Sequence, residues 1–123
     1  MPKLVWFFIL IAIMFAATHA LAVATNLYWY YKWFDIVMHF WGGLLLVLGV
    51  HALSQLPTVP VRPTARTIVL VAATVMILWE IFEYSVGLSR ASTFVFDTMK
   101  DFLVGGIGVW VGYRLFKHRQ SSL

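Results

Sequence analysis

Four predominantly apolar stretches govern what this chain can fold into: Leu4 to Ala24, Phe34 to Leu53, Ile68 to Leu88 and roughly Phe94 to Phe116. Each approaches the about 20 residues that a helix needs to cross a hydrocarbon core of ~30 Å. Lipid offers no partner to a backbone amide, so a spanning segment of this kind closes its hydrogen bonds within itself, as a helix. The alternative, a soluble core, fails on area. Of 123 residues 62% are hydrophobic and 11% charged, and a domain this small buries too little of its surface to hide such a load. The sequence therefore predicts one domain over residues 1–123: an all-α, polytopic membrane protein, a four-transmembrane-helix bundle, set in the cell (inner or plasma) membrane.

The connectors agree with that reading. Residues 25–33 are aromatic with one lysine, Lys32, the composition of a segment lying among headgroups. Residues 54–67 carry Pro57, Pro60 and Pro63, which exclude a helix and favour an extended loop. Residues 89–93 suit a tight helix-to-helix turn, and the polar tail after Phe116 is expected to fray. Lys3, Arg62, Arg66, Arg114, Lys117 and Arg119 fall on one side of a four-span arrangement, and Lys32, Arg90 and Lys100 on the other. The excess marks the cytoplasmic side, which puts the N- and C-termini inside. Lys3, the apolar run and Ala22-Val23-Ala24 also imitate a signal peptide, whose removal would leave three spans and the same remaining topology. The formal charge of +4 is spread over helix ends and forms no stripe, so nucleic acid is not an expected partner; membrane lipid is, with a second copy or a membrane-complex subunit as further candidates. The chain has no cysteine, which excludes disulfides, thiolate metal sites and thiol chemistry.

All five carboxylates lie on or at the end of these stretches. Asp35 and His39 sit at the outer end of the second, Glu80 and Glu83 in the outward half of the third, Asp97 and Asp101 at the outer start of the fourth, and His19 near the outer end of the first. Counted at 1.5 Å per residue, His39, Glu80, Glu83 and Asp101 come within about 5–12 Å of the outer boundary. Helical phase is an independent test. Asp35, His39, Gly42 and Gly49 share one face, as do Ala73, Met76, Glu80, Glu83 and Gly87, and as do Asp97, Asp101, Gly105, Gly108 and Gly112. Small residues mark close helix approach in membranes, so the acids continue packing faces and should point into the bundle.

Charge at membrane depth is costly and is a functional candidate by default. Inward carboxylates and histidines on facing helices are how four-helix bundles build metal sites. Asp35, His39, Glu80, Glu83, Asp97 and Asp101 are thus candidate ligands of a divalent metal, and Glu80, Glu83 and Asp101 candidate catalytic residues. Plainer roles compete. Asp35 and Asp97 can simply favour their helix N-termini, and Lys32, Arg90 and Lys100 are near enough to make the cluster a structural salt-bridge network. His19 suits a hydrogen-bonded packing residue; His51 and His118 sit at the inner end with no specific role read for them. The tryptophans read as lipid-facing or interfacial.

Asp35-Ile-Val-Met-His39-Phe40, then Trp79-Glu80-Ile-Phe-Glu83, then Asp97-Thr-Met-Lys-Asp101 with Gly105 and Gly108, resembles the VanZ-like group of bacterial membrane proteins, over residues 34 to about 112. Members usually carry a lysine after the first aspartate, where this chain has Ile36, and an asparagine one turn past the last, where it has Gly105. The resemblance implies work connected with the cell envelope and names no reaction. Two functions follow as expectations. One is a metal-dependent membrane enzyme acting on a lipid or lipid-linked envelope substrate. The other is a non-catalytic cation- or proton-binding protein, or a small partner subunit of a membrane complex. Transport is disfavoured, because the polar residues stop at the outer half.

Overall fold

The computed structural model describes residues 1–88 and 92–121, and all regular structure among them is helical. In chain order the elements are α1 (Lys3–Ala24), the single turn α2 (Leu27–Tyr30), α3 (Lys32–Leu53), α4 (Ala65–Ser85) and α5 (Phe94–Ser121). Three of them, α1, α3 and α4, are long and apolar enough to cross a membrane. The fourth, α5, carries Asp97, Lys100 and Asp101 near one end and Arg114 and Lys117 near the other, so its uncharged run from Phe102 to Tyr113 covers only about 18 Å at 1.5 Å per residue.

Helix ends depart from the apolar stretches for local reasons. The N-terminus of α4 lies before Ile68 because Thr64 caps it: its hydroxyl oxygen accepts from the Thr67 amide at 3.2 Å. At the other end Gly87 takes φ +77°, the Leu88 amide reaches the Glu83 carbonyl at 2.9 Å, and the Gly87 amide reaches that of Tyr84 at 3.3 Å. That is a Schellman ending. It corrects the expectation that helix continues to Leu88 with Gly87 on its packing face. The α1–α3 connector turns at Asn26, whose φ of 57° is the left-handed conformation asparagine tolerates. Helix α5 runs on to Ser121, past the point where fraying was expected. Residues 89–91 of the expected tight turn, Arg90 among them, lie outside the described residues.

α3 is the central helix. It packs most extensively on α5, then on α1, while α4 lies against both α3 and α5. Glycines set the α3–α5 approach. A Cβ on Gly43 would overlap the Gly105 carbonyl oxygen, and one on Gly108 the Phe40 carbonyl oxygen. Gly42 and Gly49 face α1 instead, against Phe15 and Phe8. On α4 the inward small residue is Ala72, with Ala73 exposed, a shift of one position in the expected stripe. The buried apolar cluster of Val47, Val50, Ile68, Ala72 and Val109 occupies the half near the 54–64 loop, where His51 stacks on Phe116 at 4.2 Å between ring centroids. The other half is left for polar side chains.

Outward faces are apolar. Leu10 and Ile13 on α1, Leu70, Ile77 and Leu78 on α4, and Leu103 and Trp110 on α5 are all about half exposed or more. Contiguous apolar surface on this scale is what lipid or a partner covers.

Candidate metal centre

Three helices deliver the cluster. His39 lies one turn beyond Asp35 on α3, Glu80 and Glu83 occupy one face of the last turns of α4, and Asp101 lies in the second turn of α5. One ligand atom from each of His39, Glu80, Glu83 and Asp101 falls within 4.8 Å of all the others. Two ligands of one ion stand no farther apart than twice the bond length. That limit is about 4.2 Å for Mg²⁺ or Zn²⁺ and about 5 Å for Ca²⁺. The observed spread therefore suits a larger ion as it stands and a smaller one after a contraction of a few tenths of an ångström.

Asp101 and Glu80 are the buried members, 4% and 5% exposed. Oδ2 of Asp101 lies 3.3 Å from His39 Nε2, which in turn lies 3.2 Å from Asp35 Oδ1. The other oxygen of Asp101 accepts no hydrogen bond and is met by Lys100 Nζ at 3.4 Å. Glu80 Oε2 accepts from the Thr98 hydroxyl at 2.9 Å, and Glu83 Oε1 from the Trp79 indole N–H at 2.8 Å. Glu83 stands at the C-terminal turn of α4, where the helix dipole disfavours an anion, so it needs a positive partner more than its neighbours do.

Asp35 does not share the four-residue group. It receives Lys100 Nζ at 3.1 Å and approaches His39 Nε2, the same ring nitrogen that Asp101 meets. As a first-turn residue of α3 it makes no cap hydrogen bond; Tyr31 is the N-cap. Asp97 is also apart from the group. It accepts the Thr93 hydroxyl at 2.6 Å in the first turn of α5, the helix-start role weighed for it from the sequence. Asp35 and Asp97, both expected among the ligands, thus lie outside the group of four, Asp35 against His39 and Lys100 and Asp97 one helical turn before Asp101.

Sequence reasoning passed over three contributors. Trp79, read as lipid-facing, holds Glu83; the i,i+4 spacing was its signal. Thr98 reaches Glu80 from another helix, which no local pattern announces. Tyr28 hydrogen-bonds His19 Nδ1 at 2.7 Å, and burial, reinforced by Asp35 and Glu83, pushes its hydroxyl above the ordinary tyrosine range, so it keeps its proton. His19 also meets the Trp79 ring edge-on at 5.0 Å. It is a packing residue at the rim of the cluster.

Comparison with protein-family models, with curated proteins and with solved structures gives no match. The chemistry is therefore argued from the site alone.

Proposed function

We propose that the chain is a four-span membrane protein, distantly related to the VanZ-like group, whose His39–Glu80–Glu83–Asp101 cluster binds a divalent cation and serves a metal-dependent enzyme acting on a lipid or lipid-linked envelope substrate. The convergence of four ligand atoms from three helices within 4.8 Å carries this reading. Charge balance supports it. Asp35, Glu80, Glu83 and Asp101 bring four negative charges when ionised, while Lys100 returns one; His39 must be neutral to ligate. Carboxylates packed together in a low dielectric must take up protons or a cation, and a divalent ion answers two of the three charges left.

The fourth span is argued from packing. α5 follows α3 from the Asp35–Lys100 contact to the His51–Phe116 stack, sixteen residues along each helix, or about 24 Å. Its charged first turns are met by α3 and α4, so they need not face lipid. With the basic excess taken as cytoplasmic, both termini are inside and the cluster lies in the outer half. The family's usual lysine after the first aspartate is replaced by Ile36, and the cation on Asp35 here comes from Lys100 instead. Gly105, in place of the usual asparagine, lies with its Cβ position 2.8 Å from Met76 Cε, so a larger side chain requires Met76 to move.

A divalent ion supplies Lewis-acid activation of water or of a phosphoryl or carbonyl oxygen. The chain's own part is to hold that geometry: Trp79 and Thr98 fix the two glutamates, Asp35 holds Lys100, and the remaining oxygen of Asp101, buried without a hydrogen bond, has Lys100 as its neighbouring cation. Glu80, Glu83 and Asp101 are the residues assigned to the chemistry. The site is one-sided. No charged side chain lies between His39 and His51 on α3, between Arg66 and Glu80 on α4, or between Asp101 and Arg114 on α5. That argues against a path across the membrane.

The position of Lys100 favours a second reading, a non-catalytic ion-pair network that binds protons or cations. Metal content of the purified protein separates the two. Stoichiometric metal in the wild type, lost in both Asp101→Asn and Glu80→Gln, supports the centre. Metal-free wild type, with both variants merely less stable, sinks it and leaves the network.

A further inference from the structure

The cluster stands where two cavities of opposite character meet. One, of about 230 Å³, runs from the cluster toward the middle of the bundle between Phe15, Gly42, Leu46, Val75 and Met76. The other, of about 330 Å³, lies at the end of the bundle, bordered by Asn26, Lys32, Thr93, Asp97 and Lys100. Tyr28, Asp35, Glu83 and Asp101 line both. An apolar cavity and a polar vestibule joined at a set of charged groups is the outline of an amphiphile.

The inner cavity is also placed for entry from the side. Two of its walls, α1 and α4, do not pack on one another along their backbones; the His19–Trp79 ring contact bridges them at the level of the cluster. Val75 lines the cavity and is 39% exposed, so the cavity is open where Val75 borders it. From Glu83 to Val75 the cavity descends about 12 Å along α4. Added to the depth of the cluster itself, this reaches past the ~15 Å of one leaflet's hydrocarbon, to about the middle of the membrane.

We propose that the two cavities together bind a phosphate-bearing membrane lipid. One hydrocarbon chain enters between α1 and α4 and lies in the inner cavity, while the phosphate occupies the vestibule beside Lys100 and Lys32, against the cluster. The phosphate half rests on the cation reading above, since four carboxylates alone repel an anion. Three carboxylates and one imidazole leave an octahedral ion two positions, and phosphate oxygens are the usual complement of hard divalent ions held by few protein ligands. The chain half rests on the shape and lining of the cavity alone.

The test uses protein reconstituted in phosphate-free digalactosyldiacylglycerol vesicles containing phosphatidic acid with a mid-chain diazirine, with adducts mapped by mass spectrometry after illumination. Adducts are expected on Leu46, Val75 or Met76, reduced at least fivefold by Val75→Trp and unchanged by Ile77→Trp, an outward-facing control. Unlabelled phosphatidic acid should compete and diacylglycerol should not. Adducts confined to outward residues such as Leu78 and Leu103 overturn the proposal, and equal competition by diacylglycerol overturns its phosphate half. Metal content of the same sample separates the two readings. Metal present with outward adducts only leaves the cation site and removes the lipid site. Cavity adducts in metal-free protein overturn the cation reading and leave the chain site.

Discussion

Asp101 on α5 and His39 on α3 face each other with Oδ2 and Nε2 3.3 Å apart, and the same face of α5 continues as Gly105, Gly108 and Gly112. The polar contact and the glycine contact are thus one interface. Whatever sets the rotation of α5 about α3 also sets where the Asp101 carboxylate points, so packing variants far from the cluster should be felt in it.

Gly108→Ala tests that coupling. A methyl at this position would overlap the Phe40 carbonyl oxygen, which is backbone and cannot swing aside. Overpacking of this kind costs about 1–3 kcal/mol. Gly106→Ala, with nothing within 4 Å of its Cβ, should be neutral or stabilising by up to about 1 kcal/mol through helix propensity. Thermal unfolding in detergent should therefore lower the midpoint for Gly108→Ala and not for its near neighbour. Equal midpoints would mean the helices are less closely packed than described.

Lys100→Met removes the ammonium that meets both Asp35 and Asp101. Breaking a buried pair costs about 3–5 kcal/mol. Lys100 retains 29% of its side-chain exposure, so water screens part of that, and about 1–3 kcal/mol is the loss expected. Under the cation reading, the stabilisation on adding Mn²⁺ should be larger in this variant than in the wild type, because the ion then answers more unpaired charge. Under the ion-pair reading Mn²⁺ rescues nothing. Midpoints with and without the ion decide between them.

Helical period and depth brought His39, Glu80, Glu83 and Asp101 into one group from the sequence, because both quantities follow from residue spacing alone. What spacing cannot show is which of two adjacent faces meets which neighbour. α3 has two packing faces, and the period selected Gly42 and Gly49, which meet α1, while the closest approach to α5 is at Gly43. Asp35 and Asp97 fit the phase as well as those four do. They differ in height by one turn, and only the packed bundle fixes how the helices slide against each other. Lys100 was legible as a partner for the acids from its depth alone, but which acids it meets, Asp35 sixty-five residues away among them, is fixed only by the packed bundle. Gly87 was legible, as the glycine that ends a helix, but was counted as a packing residue because its phase also matched.

Trp79→Phe keeps a ring against His19 and removes the indole N–H that Glu83 Oε1 accepts. A hydrogen bond to a charged group contributes about 1.5–3 kcal/mol, and the orienting contacts around metal ligands change affinity by about 10–100-fold. Partial exposure of Glu83 puts the expectation at the lower end, about tenfold weaker Mn²⁺ binding by titration calorimetry, with a lower unfolding midpoint of the metal-free protein, where the same bond is lost. Unchanged affinity would remove Glu83 from the ligand set.

The identity of the ion can be argued from the donor set. Three carboxylates suit Mg²⁺, Ca²⁺ and Mn²⁺ alike, but an imidazole is a poor ligand for the first two and a good one for transition ions. At equal concentration Mn²⁺ should therefore raise the unfolding midpoint more than Mg²⁺ does. His39→Gln exchanges the nitrogen donor for an amide oxygen of similar reach, and it should shrink the difference between the two ions rather than abolish binding of both. If Mg²⁺ matches Mn²⁺ in the wild type, His39 is not a ligand. Its contacts with Asp35 and Asp101 would then be its whole role, as the hinge between α3 and α5.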